Sequence, residues 1–338
     1  MKIKIVNNND YNYIFNPLDG FHARWGKTFE DDPQWSPLGA EILDIEISTI
    51  CGNGCEFCYK SNVQNGKNMS IQEFTDIINT FFVNGKTNLT QIAFGIGDLN
   101  ANPHLMEILW YTRSLGIIPN ITINGSQLTE SLADQLAFVC GGIAVSHYDI
   151  NTTIRAVSML TMRKKCYVAD NNLWSVNIHQ MISRETYQDA LEILVDASMN
   201  YYLRDLNAIL FLSLKQQGRG KNFTPLPQEL FDKLVAIAFT LDVNIGFDSC
   251  SAHKFMKCEL SRGYENVIEP CESGLFSAYI NVDGHVFPCS FLETRERWIA
   301  DMKDTKNFTK EVWLSNKKML AWRNHLLCNN RECPVYKI

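Results

Sequence analysis

Ile42-Leu-Asp-Ile-Glu-Ile-Ser48 leads through Thr49-Ile50 into Cys51-Gly-Asn-Gly-Cys55-Glu-Phe-Cys58-Tyr59. The first half is a β-rich apolar run and reads as a strand. The second half places three thiols in a loop that carries two glycines, so the backbone can curl and the sulfurs converge. A structural zinc site wants four ligands, commonly as two separated CxxC pairs. The local set here stops at three. Three cysteines on a [4Fe–4S] cluster leave one iron open to bind something that reacts. A zinc loop or a chance grouping of thiols is the competing reading of this motif taken alone.

Outward from this loop a rhythm repeats. Apolar runs recur at 91–97, 120–125, 142–149, 174–183, 208–214 and 243–249, and helix-like stretches lie among them at 70–85, 103–116 and 185–198. Ser70 with Glu73 three residues later forms a capping box at the first helix. Strands alternating with single helices predict βαβ units and a parallel sheet, open or closed into a barrel. The apolar character of the runs favours burial on both faces, and functional residues gather at the carboxyl ends of such strands. The rhythm stops near residue 250. A hairpin-like segment follows at 275–291, with Asp283-Gly284 as its turn, and then short helical pieces. The predicted division is an N-terminal extension over 1–40, an α/β unit over 41–250 and a small cysteine-rich α+β unit over 251–338.

Composition narrows the function. The 338 residues carry 31 Lys+Arg against 37 Asp+Glu, a net charge of −6, which gives no basic field for general nucleic-acid binding. At 46% hydrophobic and 20% charged the chain can bury a sizeable core. No run reaches the ~18 apolar residues of a membrane span, and no secretory signal is expected at the start. A cytoplasmic protein is therefore expected. Eleven cysteines in a reducing compartment point to metal rather than disulfides.

The CxxxCxxC spacing of Cys51, Cys55 and Cys58, with Phe57 before the last cysteine and Tyr59 after it, resembles the radical S-adenosylmethionine (SAM) superfamily. The resemblance implies a partial (β/α)6 TIM-like barrel with the cluster loop after its first strand, which is where this loop sits. It implies that the open iron chelates SAM and that an electron from the cluster cleaves the sulfonium to methionine and a 5′-deoxyadenosyl radical. That radical abstracts a hydrogen from substrate. Gly95-Ile96-Gly97-Asp98 resembles the GGE-type motif that receives the SAM amino group, with Asp98 where Glu is more usual. Phe57 and Tyr59 count with the cofactor contacts on the same resemblance. Asn124 in ITINGS and Ser146 in VSHYD are similar to SAM contacts of the third and fourth strands. Arg155 would pair with the SAM carboxylate. Asn177 and His179 share one face of the fifth strand, directed into the barrel. LSLKQQGRG at 212–220 resembles a sixth-strand and loop pattern of members with auxiliary clusters.

The tail reads Cys271, twelve residues to Gly284, four more to Cys289, then Cys328 and Cys333 with four residues between them. This pattern resembles the SPASM domain and its shortened relative, the twitch domain. It implies one auxiliary [4Fe–4S] cluster on Cys271, Cys289, Cys328 and Cys333, for which a four-cysteine zinc site is the rival. A fully ligated cluster would relay an electron. Of the remaining cysteines, Cys140 and Cys166 read as packing. Cys250, at the barrel's functional edge, reads as structural or as a hydrogen donor to a substrate radical. Cys258 is a spare ligand.

The reading that results is an oxidoreductase-type radical SAM enzyme that modifies a peptide or protein by oxidation, crosslinking or epimerisation, supplied by a flavodoxin- or ferredoxin-like electron donor. The first 40 residues are too short for a leader-peptide-recognition domain, which weighs against a peptide. A twitch-type dehydrogenase acting on a sugar or cyclitol alcohol is the first alternative. A non-enzymatic iron–sulfur or zinc protein is the second, and the Gly95–Asp98 motif argues against it.

Overall fold

The computed structural model describes residues 2–28 and 30–338. Three short strands open the chain: β1 (Lys4–Asn8), β2 (Tyr11–Phe15) and β3 (His22–Trp25), an antiparallel sheet in that order. Asn9, at φ 46°, makes the tight turn between the first two. The period of two puts Tyr11, Tyr13 and Phe15 on one face, where they share an apolar core with Leu275, Phe276, Trp322 and Leu326. The extension is thereby sewn to the carboxyl-terminal part of the chain.

The apolar runs become seven parallel strands: β4 (Ile42–Glu46), β5 (Gln91–Gly95), β6 (Ile118–Ile123), β7 (Gly142–Ser146), β8 (Ser175–Ile182), β9 (Ala208–Ser213) and β10 (Ile245–Phe247). Each pairs with the one before it in the chain. The crossovers carry α1 (Ile71–Asn79), α2 (Leu105–Ser114), α3 (Glu130–Val139), α4 (Ile150–Thr161), α5 (Tyr187–Met199) and α6 (Gln228–Thr240). The Ser70–Glu73 capping box forms as expected. The helix it starts is shorter than the stretch 70–85, because Asn84 and Gly85 adopt positive φ (51° and 73°) and close a separate tight turn between Val83 and Lys86.

Alternation along the strands separates two layers. In β8, Val176, Ile178 and Ile182 join the core beneath the helices while Asn177 and His179 face the other way. In β4, Leu43 and Ile45 do the same, leaving Asp44 and Glu46 on the inner face. Each Leu or Ile fully buried on the helix side contributes roughly 1.5–3 kcal/mol. The inner face can therefore hold polar residues that packing does not require.

After β10 come the short α7 (Ala252–Met256), then β11 (Ser277–Ile280), β12 (His285–Phe287), β13 (Ala300–Asp301) and α8 (Lys317–Cys328). The Asp283-Gly284 turn forms, with Gly284 at φ 81°. β11 pairs parallel with β4, so the hairpin extends the main sheet to ten strands in the order β10-β9-β8-β7-β6-β5-β4-β11-β12-β13. The first barrel strand, which feeds the cysteine loop, is thus central rather than an edge. No described helix is long and apolar enough to cross a membrane.

Candidate active site

The cysteine loop leaves the carboxyl end of β4 and is held from two sides. On one side the Gly95–Asp98 turn after β5 presses against it. Asp98 donates its N–H to Ile50 O (2.9 Å), and its carboxylate accepts the Gly52 N–H at 2.7 Å and lies 3.7 Å from Cys51 Sγ. A Cβ on Gly97 would lie 2.2 Å from Ile50 O, so only glycine allows this approach. On the other side, Arg219 donates its backbone N–H to Cys58 O (3.0 Å) and its Nε to Cys55 O (2.7 Å). Gly218, at φ 56°, sits where a Cβ would be 2.4 Å from Tyr59 O. The loop is clamped between two glycine-bearing segments that are far apart in sequence.

This clamp gives a contrast within one motif. Gly95→Ala places its Cβ 3.4 Å from Glu46 Cα, a tight contact that a small shift accommodates, whereas Gly97→Ala collides with main chain. Overpacking of this kind costs about 1–3 kcal/mol, here taken up by displacing the loop. Iron content of anaerobically reconstituted protein is expected to fall in Gly97→Ala and to stay near wild type in Gly95→Ala. Equal loading of both variants would show that the clamp does not position the cysteines.

Cys51, Cys55 and Cys58 are all half-buried. Burial pushes the Cys51 and Cys55 thiols up, and the neighbouring cysteine charge adds to this in both. Such a set resists ionising alone and releases its protons to a cationic centre, as thiolate ligands do. Among the described residues no three His, Cys, Asp or Glu side chains stand close enough to grip a single ion. Three thiols in one loop are the donor chemistry that would hold an iron–sulfur cluster.

Beside Cys55 opens a cavity of about 530 Å³, lined by Phe57, Asn124, Ser146, Tyr148 and Phe223 among others. This size lies within the range of small-molecule sites. Phe57 stacks on Tyr148 at 5.5 Å and meets Phe223 edge-on at 5.9 Å. Tyr148, with its ring against Phe57, has Cys55 as an electrostatic neighbour, and its phenol is pushed up by desolvation and that neighbour. Asn124 Oδ1 accepts from the Ser126 N–H (3.0 Å) and hydroxyl (2.8 Å), which fixes the turn after β6. The expected residues Cys55, Phe57, Asn124 and Ser146 therefore converge on one wall, while Gly95, Gly97 and Asp98 stand behind the loop.

The other expected residues lie elsewhere. Arg155 donates to the carbonyls of Gly125, Ser126 and Leu128, so its guanidinium braces the turn after β6. Asn177 donates to Ser175 Oγ. His179 is held low, to about 4, by burial against the opposing charge of Asp248, and is neutral at pH 7. Tyr59 packs its ring 4.6 Å from Phe291, linking the first cysteine loop to the segment after Cys289. Cys271 and Cys289 border the second apolar core, Cys333 Sγ accepts from the Tyr336 N–H at 3.4 Å, and Cys328 is exposed. Burial pushes Cys250 up to about 12 and Cys271 to about 11. Cys140 is buried, in keeping with packing. Cys166 is not: it is exposed, because it falls in the polar turn between α4 and β8 rather than on an apolar face. Sequence reasoning missed Tyr148, Phe223 and Arg219. For Arg219 a signal existed, since an arginine between two glycines in Gly218-Arg219-Gly220 marks close backbone approach.

No family model matches the chain. Over 72 residues it is 40% identical to the ribosomal RNA large subunit methyltransferase Cfr of Lachnoclostridium phytofermentans, a match covering 21% of this chain and 21% of that protein. The chain thus matches about a fifth of that curated relative's length. Among solved structures, SuiB of Streptococcus suis bound to S-adenosylmethionine superposes with a TM-score of 0.63 at 13% identity, over 85% of this chain and 68% of that one. SuiB bound to its precursor peptide SuiA gives 0.67 at 11% identity, over 95% and 89%. anSMEcpe with bound AdoMet and the Cp18Cys peptide gives 0.60 at 16% identity, over 84% and 82%. With a three-cysteine loop at the end of the first of seven parallel strands and a cavity beside it, the chain has the fold of the radical SAM enzymes.

Proposed function

We propose that the protein is a radical SAM enzyme that abstracts hydrogen from a peptide or protein substrate. The observation that carries this reading is the cavity beside Cys55, whose wall unites residues that follow the carboxyl ends of β4, β6, β7, β8 and β9. Cys51, Cys55 and Cys58 would hold a [4Fe–4S] cluster, which when bound offers an open iron for SAM and the electron that cleaves its sulfonium. Phe57 and Tyr148 would supply an aromatic surface for the adenine, and Ser146 and Asn124 polar contacts to the ribose or carboxylate. Asp98, already fixed on Gly52, would orient the loop and offer its second oxygen to the SAM amino group. His179, neutral on the inner face, would accept or donate a hydrogen bond without carrying charge.

A peptide is favoured by the fold likeness, which extends over 95% of the chain to a protein crystallised with its precursor peptide. The test is anaerobic. Reconstituted wild-type protein with dithionite and SAM is expected to form 5′-deoxyadenosine and methionine in equal amounts, and a cysteine- or serine-containing peptide is expected to accelerate this and lose hydrogen. SAM that survives with the cluster loaded would overturn the radical reading. Acceleration by sugars or cyclitols but by no peptide would replace the substrate class.

A further inference from the structure

The second group of cysteines does not assemble as its spacing suggests. Cys328 is the last residue of α8, is exposed, and turns its sulfur to Asn324 Oδ1 in its own helix at 3.8 Å. Cys333 behaves differently. Tyr336 donates its N–H to Cys333 Sγ and its hydroxyl to Phe291 O (2.9 Å), which ties the chain end to the segment just after Cys289. Arg331 donates its Nε to Cys271 O at 2.9 Å, and Ser273 donates its hydroxyl to Pro288 O at 2.6 Å. Cys271, Cys289 and Cys333 are thus laced together by their neighbours.

A fourth segment enters the same place from the barrel. Lys215, just past β9, pairs with Asp248, has Cys250 as an electrostatic neighbour and lies 4.6 Å from the Phe291 ring centroid. Cys250 is delivered by the carboxyl end of β10 to the side of the Cys289 loop. Cys271, Cys333 and Cys250 are all electrostatic neighbours of Cys289, and Cys271 and Cys333 are neighbours of Cys250. Four half-buried thiols from four segments thus lie in one neighbourhood.

We infer that Cys250, Cys271, Cys289 and Cys333 are the ligands of an auxiliary iron–sulfur cluster, with Cys250 in the place that spacing alone gives to Cys328. The inference rests on the proposed reading that the tail holds an iron–sulfur centre. It makes the cluster a staple between the parallel sheet and the tail, since one ligand comes from the turn that follows β10. Lys215 becomes a positive charge beside a ligand sulfur, an environment that tunes such centres.

The experiment uses full-length protein carrying Cys51→Ala, Cys55→Ala and Cys58→Ala, so that any remaining iron reports the second site. Iron, sulfide and the electron paramagnetic resonance spectrum after dithionite reduction are measured with Cys250→Ala, Cys250→Ser or Cys328→Ala added. Cys328→Ala is expected to keep about four irons per chain and the background spectrum. Cys250→Ala is expected to lose most of its iron. Cys250→Ser, which preserves size and offers an oxygen ligand, guards against simple misfolding and is expected to lose iron or shift the spectrum. If the background itself binds no iron, the auxiliary-cluster reading fails. If the background binds iron and both Cys250 variants match it in iron and spectrum, the ligand assignment alone is overturned.

Discussion

Replacing Cys51, Cys55 and Cys58 together by alanine is expected to abolish reductive SAM cleavage while leaving the fold in place. The three sulfurs lie outside both apolar cores, and the loop's own hydrogen bonds run through backbone: Cys51 N–H to Val63 O at 3.0 Å and Cys58 N–H to Cys55 O at 3.2 Å. Alanine keeps all of these, so the stability cost should be about 1 kcal/mol per site or less. Activity has no such reserve. On the proposed reading, removing the three thiols removes the ligands that would hold an iron–sulfur cluster beside the cavity, so the variant would have no means to cleave SAM. Iron is expected to fall from roughly eight to roughly four per chain, and 5′-deoxyadenosine to reach the level of a protein-free control. Continued product formation by the triple variant would move the chemistry away from this loop.

The barrel was legible in the sequence because its signals are local. Each apolar run from Ile42 to Phe247 became a parallel strand in chain order, and the Ser70–Glu73 box and the Asp283-Gly284 turn formed where their residue types demand. The three-cysteine loop was legible for the same reason, being eight residues long. Pairings between distant segments were not. Nothing near Ser277 announces that it will lie beside Ile42, and nothing near Arg219 announces that it will cap the carbonyls of Cys55 and Cys58. The spacing of Cys328 and Cys333 suggested a pair, but the helix ending at Cys328 carries that sulfur outward while the turn after it, with Asn330 and Arg331 at positive φ (52° and 60°), sends Cys333 back. A one-turn change in where a helix ends decides where such a sulfur points, and helix ends are among the least determined features of a sequence.

Arg24→Met should be the most destabilising single change outside the cysteine loops, at about 3–5 kcal/mol. Arg24 is nearly buried and joins three carboxylates: Glu41 at 2.8 Å, Glu269 at 3.3 Å and Glu272 at 3.4 Å, with its guanidinium 3.4 Å over the Phe276 ring. Glu41 is almost fully buried, and Tyr11 donates to its other oxygen at 2.6 Å. Burial already raises the Glu41 carboxyl above its usual range, and Arg24 opposes that rise. Without the arginine the native state must either bury an uncompensated charge or take up a proton. The sign follows. A carboxyl whose folded pKa is raised destabilises the fold above that pKa and ceases to do so as pH falls through it. The deficit of Arg24→Met, measured by urea unfolding, is therefore largest near pH 7 and shrinks toward pH 5. Adding Glu41→Gln should recover a large part of the loss at pH 7, because the two residues act as one pair. A deficit independent of pH, or no recovery in the double variant, would mean that Arg24 acts through its packing on Phe276 instead. In either case the consequence reaches the second cysteine site, since Glu272 follows Cys271 directly and Arg331, which bonds the Cys271 carbonyl, also pairs with Glu269. The N-terminal sheet, which no motif marked as functional, is anchored through one arginine to the segment that carries Cys271.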